Sequence, residues 1–134
     1  MSITVYPQAS QLPEPCLIAD CAISGGTLEA FIREALAAAK GKLCLRIVPV
    51  YADFPLPCPP GQEQILTWEA CTALRGDRPL HQSPALGTAY FTYLSEGRPH
   101  VVLFDTRDTL RKKLQLAESL GVPYALMPET PQAE

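Results

Sequence analysis

Two apolar runs separated by one amphipathic segment constrain the fold of this chain more than any other feature. Residues 16–23 are apolar except for Asp20, and a run without alternation fits a strand buried on both faces, as parallel strands are. Ser24-Gly25-Gly26 breaks it. Thr27 is then placed to N-cap a helix, with Leu28, Phe31, Ile32, Ala35, Leu36 and Ala39 at helical spacing through Lys40 and Gly41 as a natural stop. Residues 43–51 form a second apolar, β-rich run. Strand, helix and strand in this order imply a right-handed parallel crossover.

The next stretch carries the opposite signal. Asp53-Phe54-Pro55-Leu56-Pro57-Cys58-Pro59-Pro60-Gly61 contains four prolines; each fixes φ and removes a donor, so a loop is expected rather than a helix or an inner strand. Thr67 fits the cap of a short helix to Arg75, with Trp68, Cys71 and Leu74 on one face. Residues 89–94 and 100–105 flank Ser95-Glu96-Gly97-Arg98-Pro99, which predicts an antiparallel hairpin. Thr106 or Asp105 caps a further helix through Leu120, its apolar face made by Leu110, Leu114, Ala117 and either Leu116 or Leu120. A last short strand follows over 122–127, and Pro128 to Glu134 read as a frayed tail.

At 134 residues the chain fits one domain, 1–134, with one compact core. A net charge of −3 with dispersed Lys and Arg offers no stripe for a phosphate backbone, so nucleic-acid binding is not expected. Membrane association is not expected either, because no run approaches the ~20 apolar residues that span a bilayer. Cys16, Cys21, Cys44, Cys58 and Cys71 are odd in number and form no C-x-x-C pair, which reads as free thiols in a reducing, cytoplasmic setting. His81 and His100 have no acidic or thiol residue at ligand spacing, so neither a metal nor a cofactor is expected. Neither Ser83-Pro84 nor Ser24-Gly25-Gly26 forms the G-x-S-x-G elbow of a serine nucleophile.

Several blocks, in order, carry a resemblance. These are Val48-Pro49-Val50-Tyr51-Ala52-Asp53-Phe54-Pro55-Leu56-Pro57, then Leu66-Thr67-Trp68-Glu69-Ala70, Ala85-Leu86-Gly87-Thr88-Ala89-Tyr90-Phe91-Thr92-Tyr93, His100-Val101-Val102-Leu103-Phe104-Asp105 and Leu114-Gln115-Leu116-Ala117-Glu118-Ser119-Leu120-Gly121-Val122. Over about residues 14 to 128 the sequence resembles the carboxy-terminal part of family 18 glycoside hydrolases, in the bacterial spore-associated branch that acts on peptidoglycan or related amino-sugar polymers. The resemblance implies an α/β fold: a partial (β/α) barrel of about three parallel strands with a small α+β insertion, a helix plus an antiparallel hairpin. Residues 14–54 and 106–128 would be the barrel-like β/α units and 55–105 the insertion. The runs at 16–23 and 43–51 and the strand at 124–127 would be barrel strands six, seven and eight. An eight-stranded barrel typically needs ~250 residues, so the open sheet edges are covered either by the chain's own N-terminal segment or by another copy or partner chain.

The resemblance also implies what is missing. The family's D-x-x-D-x-E motif, which supplies the acid and the carboxylate that orients the substrate's acetamido group, has no counterpart, and no catalytic residue is assigned. Its one echo, Asp105-Thr106-Arg107-Asp108-Thr109-Leu110, reads as helix capping by Asp105 and Asp108. The substrate-binding candidates are Tyr51, Asp53 and Phe54, at the carboxyl end of a barrel strand, and Asp20, in the region where the family carries a Tyr-Asp pair whose Asp falls on Asp20 or Cys21 and whose Tyr is absent here; an ion pair with Arg46 or a strand-end position also explains Asp20. Phe54 replaces the family's hydrogen-bonding aromatic, and Ala125-Leu126-Met127-Pro128 lacks its final Trp. The expected function is a non-catalytic glycoside-hydrolase-like domain that binds amino-sugar glycans or serves a structural role. The alternatives are a hydrolase subunit completed by a partner chain or by oligomerisation, and an oligomerisation module without ligand.

Overall fold

The structure, a computed structural model, describes residues 2–23, 25–59 and 61–127. Ser24, Pro60 and the 128–134 tail, including its reading as frayed, lie outside the described residues. The chain is mixed α/β, built on two sheets. The first is parallel, with strands β1 (Thr4–Tyr6), β2 (Leu17–Asp20), β3 (Leu43–Arg46) and β9 (Tyr124–Leu126) in the order β1-β9-β3-β2. The second is antiparallel, with β4 (Tyr51–Pro55), β5 (Gln64–Ile65), β6 (His81–Ser83), β7 (Thr88–Ser95) and β8 (Arg98–Phe104) in the order β5-β4-β8-β7-β6.

Helix α1 (Leu28–Ala38) connects β2 to β3, α3 (Arg107–Ser119) leads from β8 into β9, and α2 (Trp68–Arg75) belongs to the antiparallel sheet. Each starts at a threonine: Thr27, Thr67 and Thr106 accept from the backbone N–H three residues on, the N-cap geometry that satisfies an orphan donor. Leu28, Ile32, Leu110 and Ala117 turn inward onto Leu43, Leu45, Ile47 and Ala125 to form the first hydrophobic cluster. Cys71, Phe91, Val102 and Phe104 form a second, with Trp68 and Leu74 of α2 packed over it. One core was expected; two form, because each sheet brings its own helix.

Three further expectations are corrected. The N-terminal residues, read without a strand, supply β1, which pairs in parallel with β9, so the parallel sheet has four strands and not three. The run at 43–51 is not one strand: β3 ends at Arg46, and the chain re-enters at Tyr51 as β4. The supposed loop is therefore an inner strand over its first part, since β4 pairs with β5 on one side and β8 on the other. Proline did not forbid this, because Pro55 lies at the end of β4 and the remaining prolines follow it. The insertion is accordingly a five-stranded sheet, larger than a hairpin. The expected hairpin forms, but with a tighter turn than the five-residue connection read from sequence: Ser95 pairs with Arg98 and Leu94 with Pro99, and Glu96 and Gly97, both at positive φ (53° and 75°), close it, the turn whose twist matches two antiparallel strands.

The β1-to-β2 connection, residues 7–16, runs against the direction in which β2, β3 and β9 advance, so a right-handed path puts it on the face away from α1 and α3. Glu14 lies there, accepting from the Tyr124 hydroxyl at 2.5 Å. Cys44 and Leu126, on that same face, are sealed from solvent.

Candidate functional site

Four residues were singled out by sequence, and the fold sends them to three places. Tyr51 and Phe54 come together at the rim of a cleft of about 220 Å³ beyond the carboxyl ends of β2 and β3, completed by Ile23, Val50, Glu63 and Ile65. This is the end of parallel strands at which α/β sheets build their ligand sites. Tyr51 also packs edge-on against Phe104, with ring centroids 5.8 Å apart, so its ring is held by the second core. Phe54 lines a neighbouring apolar groove of about 300 Å³ with Leu56, Leu86, Val101 and Leu103. That shared ring makes one wall of both depressions.

Asp53 shares with Tyr51 the α2 face of β4, opposite to the face that carries Phe54. It is buried on the α2 side of the sheet, where Oδ1 meets His100 Nδ1 at 2.8 Å and Oδ2 accepts from the Tyr93 hydroxyl. The Tyr93 and His100 rings stack at 4.6 Å, and the Arg78 guanidinium lies 5.6 Å from the Tyr93 centroid. Burial, followed by the hydrogen bond to Asp53, pushes the Tyr93 phenol up to about 12. Burial and then the same carboxylate push the Cys71 thiol to about 12 as well. A carboxylate this enclosed needs partners, and Asp53 has them from β7 and β8.

Asp20 lies at the end of β2, directly beside Arg46 in the parallel ladder, and the two form an exposed ion pair at 2.6 Å. That pairing is the alternative the sequence offered for it. Asp105, expected as a cap, does not cap α3: Thr106 does, in a reciprocal pair with Thr109. Asp105 instead accepts from Val50 N–H at 2.7 Å, Thr109 Oγ1 at 2.6 Å and Lys113 Nζ at 2.9 Å, with both charged side chains fully buried. Asp108 remains in the first turn, facing Lys112 and Arg111 at the exposed surface.

Sequence reasoning missed Glu63, Ile65 and Lys113. Glu63 carries no motif; it reaches the cleft because β5 folds back on β4, pairing Gln64 with Asp53 and Ile65 with Ala52. Its carboxylate has no ion-pair or hydrogen-bond partner among the described residues. It is also the one carboxylate among the described residues that line the cleft. Aromatic and aliphatic walls with a single carboxylate can cover the C–H face of a sugar and accept from its hydroxyls, whereas glycosidic cleavage normally employs two cooperating carboxyl groups. Among the described residues no group of three or more His, Cys, Asp or Glu could hold a metal ion, and no helix is long and apolar enough to cross a membrane.

No protein-family model and no curated protein matches the sequence. Solved structures do match in fold. A protein from Bacillus subtilis described as a sporulation-specific glycosylase superposes with a TM-score of 0.57 at 21% identity, over 78% of this chain and 38% of its own. The spore cortex-lytic enzyme SleL of Bacillus megaterium gives 0.59 at 15%, over 80% and 28%. A chitinase from Chromobacterium violaceum gives 0.54 at 18%, over 83% and 37%. The fold is thus glycosidase-like, and the chain spans well under half the length of each of these neighbours.

Proposed function

We propose that this chain corresponds to the carboxy-terminal part of a family 18 glycoside hydrolase and holds an amino-sugar glycan in the cleft beyond β2 and β3 without cleaving it. The observation that carries this reading is the cleft itself: Tyr51, Phe54 and Ile65 line it, and Glu63 offers a carboxylate that has no partner among the described residues. Three of the remaining acids near these strands are already committed, Asp20 to Arg46, Asp53 to His100 and Tyr93, and Asp105 to Lys113. The names of the structural neighbours, a chitinase and a spore cortex-lytic enzyme, favour chitin- or cortex-type polymers as the glycan class. Fold likeness alone does not carry activity across, and an acid aligned with a second carboxylate is what hydrolysis would require.

Calorimetric titration with N-acetylglucosamine oligomers and with peptidoglycan fragments tests the reading. Saturable binding, weakened at least tenfold in Phe54→Ala and in Glu63→Gln, is expected, with no new reducing ends released. Absence of saturable heat with both sets, or steady release of reducing ends by the purified chain, contradicts it.

A further inference from the structure

The two edges of the parallel sheet are not equivalent. In β1, Thr4 and Tyr6 turn their backbone groups toward β9, through Thr4 N–H to Pro123 O at 3.1 Å and Met127 N–H to Tyr6 O at 3.0 Å. Ile3 and Val5 face outward, and the Ile3 N–H is already taken by Glu118 Oε2 at 3.2 Å. This edge is blunted by its own helix. In β2, the Leu17 N–H meets Lys42 O and the Cys21 N–H meets Arg46 O, both at 3.0 Å, so Cys16, Ile18 and Asp20 turn their backbone groups outward. Those N–H groups have no partner among the described residues. Leu17 and Ile18 are also 47% and 39% exposed, and as successive strand residues they leave apolar surface open on both faces of the sheet. Unpaired backbone groups beside open apolar side chains are what invites another strand.

We propose that two copies of this chain pair antiparallel through β2, about a twofold axis at Ile18, joining their four-stranded sheets into one. The register follows from the geometry. With the helices of both copies on the same face and the twofold axis at Ile18, Leu17 lies opposite Ala19, Ile18 opposite Ile18 and Asp20 opposite Cys16 of the second copy. Ile18, whose N–H and C=O face outward, then exchanges both hydrogen bonds with its equivalent, at a Cα separation of about 5.5 Å. Cys16 stands beside Lys42 by extension of the Leu17–Leu43 pairing, so the Asp20–Arg46 pair of one copy comes to lie beside the Lys42–Glu14 pair of the other. Closure into a barrel by pairing β1 with β2 of another copy is disfavoured, because the Glu118 bond blunts β1 and residues 7–16 lie on the face that a barrel would turn inward. A self-complementary edge closes on itself and stops at the dimer.

Sedimentation across a concentration series, with disulfide trapping of Ile18→Cys in a Cys16→Ser background, tests this. Copper-phenanthroline, whose Cu(II) takes the two electrons as the S–S bond forms and the two thiol protons pass to water, is expected to give a covalent dimer, since the Cα spacing lies within disulfide reach. Cys16→Ser alone stays uncrosslinked. Ile18→Lys, checked for native circular dichroism, is expected to weaken dimerisation at least tenfold. A monomer throughout the series overturns the proposal, as does a dimer indifferent to Ile18→Lys. Trapping between Val5→Cys and Ile18→Cys chains, in place of Ile18 with itself, also overturns it by putting β1 in the contact.

Discussion

Replacing Lys113 by Met removes the positive half of a buried pair that ties the two sheets together. Asp105 receives three donors: the Val50 N–H from the β3–β4 link, Thr109 Oγ1 and Lys113 Nζ. Its own N–H returns to Val50 O at 3.1 Å. The substitution keeps the two neutral donors but strands a carboxylate sealed from solvent, and breaking a buried pair from one side costs about 3–5 kcal/mol. For a chain of this size that corresponds to a melting-temperature fall of roughly 10–20 °C. Adding Asp105→Asn removes the stranded charge while leaving an oxygen to accept from Val50. The double variant should therefore be destabilised by at least about 2 kcal/mol less than the sum of the single changes. Urea unfolding of parent, Lys113→Met, Asp105→Asn and the double variant, followed by circular dichroism, reads this directly. A Lys113→Met cost under about 0.5 kcal/mol, the range of surface substitutions, or strict additivity of the two changes, refutes the reasoning.

Further outcomes follow from the same structure. Tyr93 and Tyr124 are both pushed up to about 12, Tyr93 first by burial and Tyr124 first by its bond to Glu14. Their contribution to stability is whole below the unfolded phenol value of 10 and is lost as pH rises through 12, so phenolate absorbance should show two of the five tyrosines ionising late in native protein but not in denaturant. Glu14 is lowered by that same bond; its contribution is lost as pH falls through its folded value, and Tyr124→Phe should flatten the acid limb of a stability–pH curve. A thiol reagent should label Cys16 and Cys58 in native protein and Cys21, Cys44 and Cys71 only on unfolding, because the last three are buried. Asp53→Ala should lower stability by about 1–3 kcal/mol through the partners it leaves unpaired, whereas Phe54→Ala should leave folding intact and affect only ligand titrations.

The periodic parts of this fold were legible in the sequence. The Thr27 and Thr67 caps, the three helices and a hairpin across residues 95–99 came from local rules, because capping and turn chemistry act within a few residues, while the choice between Thr106 and Asp105 at α3 stayed open. What was not legible depends on distant pairing. β1 is three residues long and exists because β9 presents a free edge 120 residues later in the chain. β4 lay hidden in a proline-rich stretch, since proline content gives no hint that Pro55 ends a strand and the others follow it. Lys113 sits within Arg111-Lys112-Lys113, a run that reads as solvated; only the Leu110, Lys113, Ala117 spacing puts it on the buried stripe. Among the site candidates, Tyr51 and Phe54 were read at the carboxyl end of a parallel strand, whereas β3 ends at Arg46 and both residues lie in the antiparallel β4, which brings them to the cleft beyond β2 and β3. The side of the sheet taken by Asp53 depended on the register of β4, and that was not legible without its partners.

The central claim is that the ends of β2 and β3 hold a glycan beside Phe54 and Glu63. Backbone amide NMR during titration with an N-acetylglucosamine oligomer measures it most directly. Saturable shifts concentrated at Ile23, Val50, Phe54 and Glu63, with the ligand's own spectrum unchanged over days, are the predicted result. Shifts confined to another surface, no saturable shifts, or conversion of the oligomer to shorter sugars would contradict it.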